Sequence, residues 1–164
     1  MNFSVKEIAI YFFFVLLSIS CRSDDESKKQ KQKIDNNTPI VKEKWHWDNP
    51  DKQNENVGYS QVVKVGNTIY ISGVPTDDLS PKGIANVYKT LENCLNAFGA
   101  SSKNVVKETL YTIDIEEMKK YNDTRKEFYK GDFPAATWVQ VSRLYEPNAK
   151  LEIDLVAEIT NLDR

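Results

Sequence analysis

The chain has 164 residues, 40% hydrophobic and 28% charged, which suits one compact soluble domain with appendages. Its 22 Lys and Arg against 24 Asp and Glu leave a formal charge of -2, which argues against a nucleic-acid footprint, since neutralising several phosphates needs a clustered basic excess. One histidine and two cysteines in unlike contexts are too few soft ligands for a zinc site, so neither a metal nor a disulfide between Cys21 and Cys94 is expected.

Residues Ile8 to Ile19 are almost entirely apolar and follow a basic residue, Lys6. That is the pattern of a signal-peptide core, too short to span a hydrocarbon layer that needs about 20 residues. The run ends in Leu17-Ser18-Ile19-Ser20-Cys21, which resembles a bacterial lipoprotein signal with Cys21 as the acylated first residue of the mature chain. Ser18 stands where such signals usually carry an aliphatic residue, and a plainly cleaved signal is the alternative. Acylation would tether the protein to the cell envelope, at the periplasmic face or the cell surface. The acidic run Ser23-Asp24-Asp25-Glu26 is similar to a surface-display tag, though such runs are also common in linkers.

From Arg22 to about Val41 the chain is Lys, Gln, Asp, Asn and Ser, too polar to offset the entropy of ordering it. Its basic run, Lys28 to Lys33, reads as a solvated tether. Trp45-His46-Trp47 breaks the pattern: at spacing two, both indoles share one face of an extended segment and His46 takes the other. An aromatic clamp or a histidine acid is one reading; a β-like arm on the domain edge is the preferred one. The organisation is thus a signal at 1–20, a polar linker at 21–44, an arm at 45–57 and a domain at 58–164.

Within the domain, Tyr59 to Val65 and Thr68 to Ser72 are β runs joined by Gly66-Asn67, a two-residue hairpin signal. Gly73 closes the second run, and Pro75 to Gly83 reads as a loop. Ile84, Val87, Leu91, Cys94, Leu95 and Phe98 then recur at helical spacing before a Gly99 stop, with Cys94 a buried small hydrophobe. Val105 to Ile113 is a third strand. Asp114 caps a second helix whose packed stripe is Met118, Tyr121, Arg125 and Phe128-Tyr129. Phe133-Pro134 leads into a β-rich run in which Thr137, Trp138, Val139 and Val141 are β-branched or aromatic. In the last strand Leu151, Ile153, Leu155, Ala157 and Ile159 take one face and Glu152, Asp154 and Glu158 the other, an open face for solvent or a partner subunit. The order ββαβαββ predicts an α+β domain with two helices on one face of a mixed sheet.

Several motifs, in order, carry a family resemblance: Gly58-Tyr59-Ser60-Gln61, Gly66 to Gly73, Gly99 to Lys107, Phe133-Pro134-Ala135 and Val141-Ser142-Arg143-Leu144. Together they resemble the RidA/YjgF family from about Gly58 to Ile159. The resemblance implies a chorismate-mutase-like fold, a homotrimer and small-molecule clefts between subunits, with no cofactor. It also implies, for the best studied branch, hydrolysis of reactive enamines and imines made by pyridoxal-phosphate enzymes. In that branch an arginine after Phe-Pro-Ala grips the substrate carboxylate through its planar fork; here that position is Ala136. The other positions it implies are Tyr59, Ser72, Gly73, Asn122 and Glu152, the last as the carboxylate that orients water.

Arg143, at an odd offset from Ala136, points to the other face of a regular strand, whereas Trp138 shares the face of Ala136. The indole either converts an anion pocket into an apolar, stacking one or packs at the subunit interface. Three functions follow. The favoured one is an envelope-anchored trimer that binds a neutral or aromatic small molecule with no family-type deaminase activity; the others are an enamine or imine deaminase using Glu152 and an interaction protein that has lost its pocket.

Overall fold

The computed structural model describes residues 39–47 and 58–160. The signal-like segment, most of the tether and Cys21 lie outside the described residues. Six strands form one mixed sheet in the order β1-β2-β3-β6-β4-β5. They are β1 Glu43–Trp45, β2 Val62–Val65, β3 Thr68–Thr76, β4 Val105–Thr112, β5 Ala135–Gln140 and β6 Leu151–Glu158. Every pairing is antiparallel except β4 with β5. Helices α1 Pro81–Asn96, α2 Ile115–Lys120 and α3 Asn122–Tyr129 complete the α+β, chorismate-mutase-like architecture expected from the sequence.

Local chemistry accounts for these elements. Gly66 takes φ +59, which the tight turn between Val65 and Thr68 requires. Ser80 caps α1 by accepting the Gly83 amide at 3.3 Å, Pro81 fits the first helical turn, and Gly99 at φ +73 stops the chain beyond it. The predicted stripe is buried through Leu95, with Ile84, Leu91, Cys94 and Leu95 fully enclosed, while Phe98 lies beyond the end of α1 and is partly buried. They pack on Ile69, Leu110, Leu151, Ile153 and Leu155 from the sheet. Asp114 caps α2 through the Glu117 amide at 3.0 Å. Strand β6 alternates as read, its apolar face buried throughout.

Three features differ from the sequence reading. The β-like arm expected on the domain edge is present as strand β1, but it starts two residues earlier than read and pairs Glu43, Lys44 and Trp45 with β2. Glu43 forms an ion pair with the buried Lys64 opposite it, a cross-strand contact invisible in a lysine-rich tether. Next to it His46 is buried, 5.9 Å from the Tyr59 ring, while Trp47 is exposed and meets Trp45 edge-on at 6.5 Å. Strand β3 does not close at Gly73 but runs on to Thr76, with a register shift between Ile71 and Val74. The irregularity admits Pro75, which has no amide to give the ladder. Finally, the second helix breaks in two, because Tyr121 leaves helical geometry at φ -105, ψ 20.

One polar cluster lies inside this apolar packing. Glu108 of β4, fully buried, accepts from Arg125 Nε at 2.7 Å, from the Tyr129 hydroxyl at 2.6 Å and from the Tyr88 hydroxyl at 3.2 Å. Burial, then the carboxylate charge, push both tyrosine pKa values up, so the phenols stay donors. Burial opposes the charge on Arg125, but the bond to Glu108 and its charge outweigh it and raise the pKa. Removing one partner of a buried pair strands the other. Arg125→Met is therefore expected to cost about 3–5 kcal/mol in urea unfolding, and Glu108→Gln with Arg125→Met to recover most of it; an equal loss in both variants would contradict this account.

Candidate functional site

Alternation along the strands sorts the candidate residues onto the two faces of the sheet. Glu108 pairs with Leu155 on one side and Ala136 on the other, and Leu110 with Ile153 and Trp138. These side chains share the helix-covered face. Tyr111, Glu152 and Pro75 form the neighbouring row, on the open face. Glu152 and Ala136 consequently lie on opposite faces, and so do Glu152 and Trp138.

On the open face, Gly73 and Glu152 fit each other. A Cβ at position 73 would collide with the carboxyl end of Glu152, so only glycine lets that side chain lie across β3. Ser72 is fixed beside it: its hydroxyl donates to the Ser60 carbonyl at 2.8 Å, its amide to the Gln61 carbonyl at 2.9 Å, and its carbonyl accepts the Gln61 side-chain amide at 2.9 Å. Tyr59, half-buried, precedes that bonded pair and leans on His46. Thus Tyr59, Ser72, Gly73 and Glu152 are tied to one end of the β2–β3–β6 surface. Partial burial raises the Glu152 pKa, and the nearby charges of Asp154 and Glu146 raise it further. Asp154 is raised too, chiefly by burial. A carboxylate held this way has an increased affinity for a proton and suits withdrawal of one from water.

On the covered face, at the outer edge of the sheet, Ala136 is exposed and Trp138 half-buried. The Arg125 guanidinium lies 5.7 Å from the Trp138 ring. Asn122 opens α3 one turn before Arg125, on the same side of the helix. Its Oδ1 is buried without a hydrogen-bond donor. The sequence reading placed Arg125 in a packed stripe but did not connect it with Glu108. The signal was present: Glu108 falls on the same parity of β4 as Leu110, where an unpaired carboxylate is not tolerated. Cys94 is buried and its pKa is pushed up to about 12 by desolvation, so it stays an unreactive thiol. Among the described residues no group of His, Cys, Asp and Glu could hold a metal ion, and no helix is long and apolar enough to cross a membrane.

A sequence model of the family described as Endoribonuclease L-PSP matches residues 51–159. The chain belongs to the RidA/YjgF family. Curated relatives of this RidA-family chain include the 2-iminobutanoate/2-iminopropanoate deaminase of Dermatophagoides farinae, 33% identical over 110 residues, 62% of this chain and 85% of that one. The human protein of the same name is 35% identical over 108 residues, 60% of this chain and 78% of that one. Among solved structures, a Rid-family protein of unknown function from Yersinia pestis is 25% identical with a TM-score of 0.63, covering 73% of this chain and all of that one. A YjgF/YER057c/UK114-family protein from Mycobacterium tuberculosis, 24% identical with a TM-score of 0.59, covers 63% of this chain and 89% of its own. It shares the fold.

The raised carboxyls give a signed prediction. Their folded pKa values exceed the unfolded ones, so they contribute stability in acid that is lost as pH rises through the folded values. Glu152→Gln should be neutral at pH below the ordinary 4.5 and should stabilise by roughly 0.5 kcal/mol at neutral pH after solvent screening. Urea titrations at the two pH values check this; equal effects at both would contradict it.

Proposed function

We propose that this chain is an exported, lipid-anchored RidA-family deaminase that hydrolyses small enamines or imines in clefts between the subunits of a homotrimer. The observation that carries this reading is the Glu152 carboxylate seated on the bare backbone of Gly73, half-buried and raised in pKa. The deaminase names of relatives at 33% and 35% identity support it. Glu152 takes a proton from water as the water oxygen attacks the imine carbon. Glu152 returns that proton to the imine nitrogen to give a carbinolamine, and the hydroxyl proton then passes by way of the same carboxylate to the amine as the carbon–nitrogen bond breaks, leaving a carbonyl and ammonia. Water is the only co-reactant, and no cofactor is required.

The division of the candidate residues between two faces supports a cleft between subunits. A ligand touching both Glu152 and the Ala136–Trp138 edge cannot do so within one chain, because the sheet lies between them. A second copy bringing its open face to that edge would complete the site. The homotrimer is the assembly the family resemblance implies. RNA cleavage, named in the family description, is not adopted: the open face carries Glu152 and Asp154, which repel a phosphate backbone.

A second reading, binding without turnover, is favoured by Ala136, where the resemblance leads one to expect a carboxylate-gripping arginine. The two are separated by following ammonia release from 2-iminobutanoate generated in situ. Turnover is expected above the buffer rate, falling on the order of 100-fold or more in Glu152→Ala. A rate equal to buffer, or one unchanged in that variant, would leave the binding module standing. The assembly and the anchor have their own measurements: a trimer mass by light scattering, and palmitate labelling lost in Cys21→Ser. A monomeric or unacylated chain would overturn each in turn.

A further inference from the structure

We infer that Arg125, reaching in from α3, anchors a subsite for a planar carboxylate at the β5 edge. Its side chain is 8% exposed, and its Cζ lies 5.0 Å from the Tyr129 ring, 5.8 Å from Phe133 and 5.7 Å from Trp138. Glu108 takes the Nε hydrogen. The four hydrogens on the terminal nitrogens have no acceptor among the described residues, yet neither nitrogen is among the polar atoms sealed from solvent without a partner. A guanidinium pinned by Nε and aromatic faces, with its outer N–H pair unengaged, is already oriented for a two-point bond to a carboxylate.

The surroundings define the rest of the ligand. Phe133, half exposed, and Trp138 flank Ala136 in sequence, and Ala136 adds only a methyl to the space between them. Two aromatic walls around a short side chain favour a flat, conjugated body over a saturated one. The buried Asn122 Oδ1, one helical turn from Arg125, lacks a donor and can accept one N–H or O–H from the ligand. The chemical class is therefore a small, planar carboxylate with a hydrogen-bond donor on an adjacent position, such as an unsaturated amino acid. Its negative charge meets an arginine whose buried counter-ion already receives two phenol hydrogen bonds, so the guanidinium is not fully claimed by Glu108.

This subsite rests on the reading that the clefts take small molecules, but not on turnover. The test uses the full mature protein and 2-aminobenzoate as a fluorescent probe, with benzamide and cyclohexanecarboxylate as comparison ligands. Binding of 2-aminobenzoate is expected to be at least about tenfold tighter than that of either comparison ligand. It should weaken by about tenfold or more in Arg125→Lys, which keeps a charge for Glu108 but loses the fork, and in Trp138→Ala. A probe affinity unchanged in Arg125→Lys and Trp138→Ala, or no binding at millimolar probe, would overturn the subsite. Probe binding without ammonia release would instead defeat the deaminase reading and leave the subsite intact. Ammonia release with binding indifferent to both substitutions would do the reverse.

Discussion

The Glu108 carboxylate is the point at which the covering layer is fastened to the sheet. Its three donors come from α1 and α3, so a single side chain of β4 sets where both helices sit. Desolvating an ion pair is offset only when the remaining lone pairs are also used, and the two phenols provide that. The same contacts immobilise Arg125, whose aliphatic stem and Nε are committed while its outer edge is not. A structural pair thereby presents a chemical group at the sheet edge, at a position where β5 itself offers only alanine.

The two faces of the sheet divide the chemistry. The open face carries the carboxylate of Glu152 with the Gly73 and Ser72 backbone, and the covered face carries the aromatic and guanidinium cluster. Neither set alone resembles a complete site: one has a proton acceptor without a grip, the other a grip without a proton acceptor. In the proposed trimer a neighbouring copy would bring the two sets together. This is why the fold of one chain reads so readily while its reaction does not.

Much of the fold was legible because burial writes itself as period. The α1 stripe, the Asp114 cap, the Gly66-Asn67 turn and the alternation of β6 all depend on neighbours within a few residues, and each was found where the residues placed it. Misses came where a distant residue decides the outcome. Gly73 looked like a strand end because its partner, Glu152, is far along the chain; the edge arm was read from Trp45, and its start at Glu43 was missed because the contact that fixes it is Lys64 on another strand. The pairing of Glu108 with Arg125 was hidden for the same reason. Position 136 illustrates the limit: the sequence can report a side chain that is lacking, but only the packing of α3 against β5 reveals another that reaches the same edge.

Strand β6 lies between β3 and β4, although it follows every other strand in the chain. Before it arrives, β1–β2–β3 and β4–β5 are separate ribbons with no hydrogen bonds between them in the final sheet. Each exposes an inner edge and half of an apolar face. The contacts that close the domain are thus of long sequence separation, which slows folding and leaves pairing surfaces open in the interim.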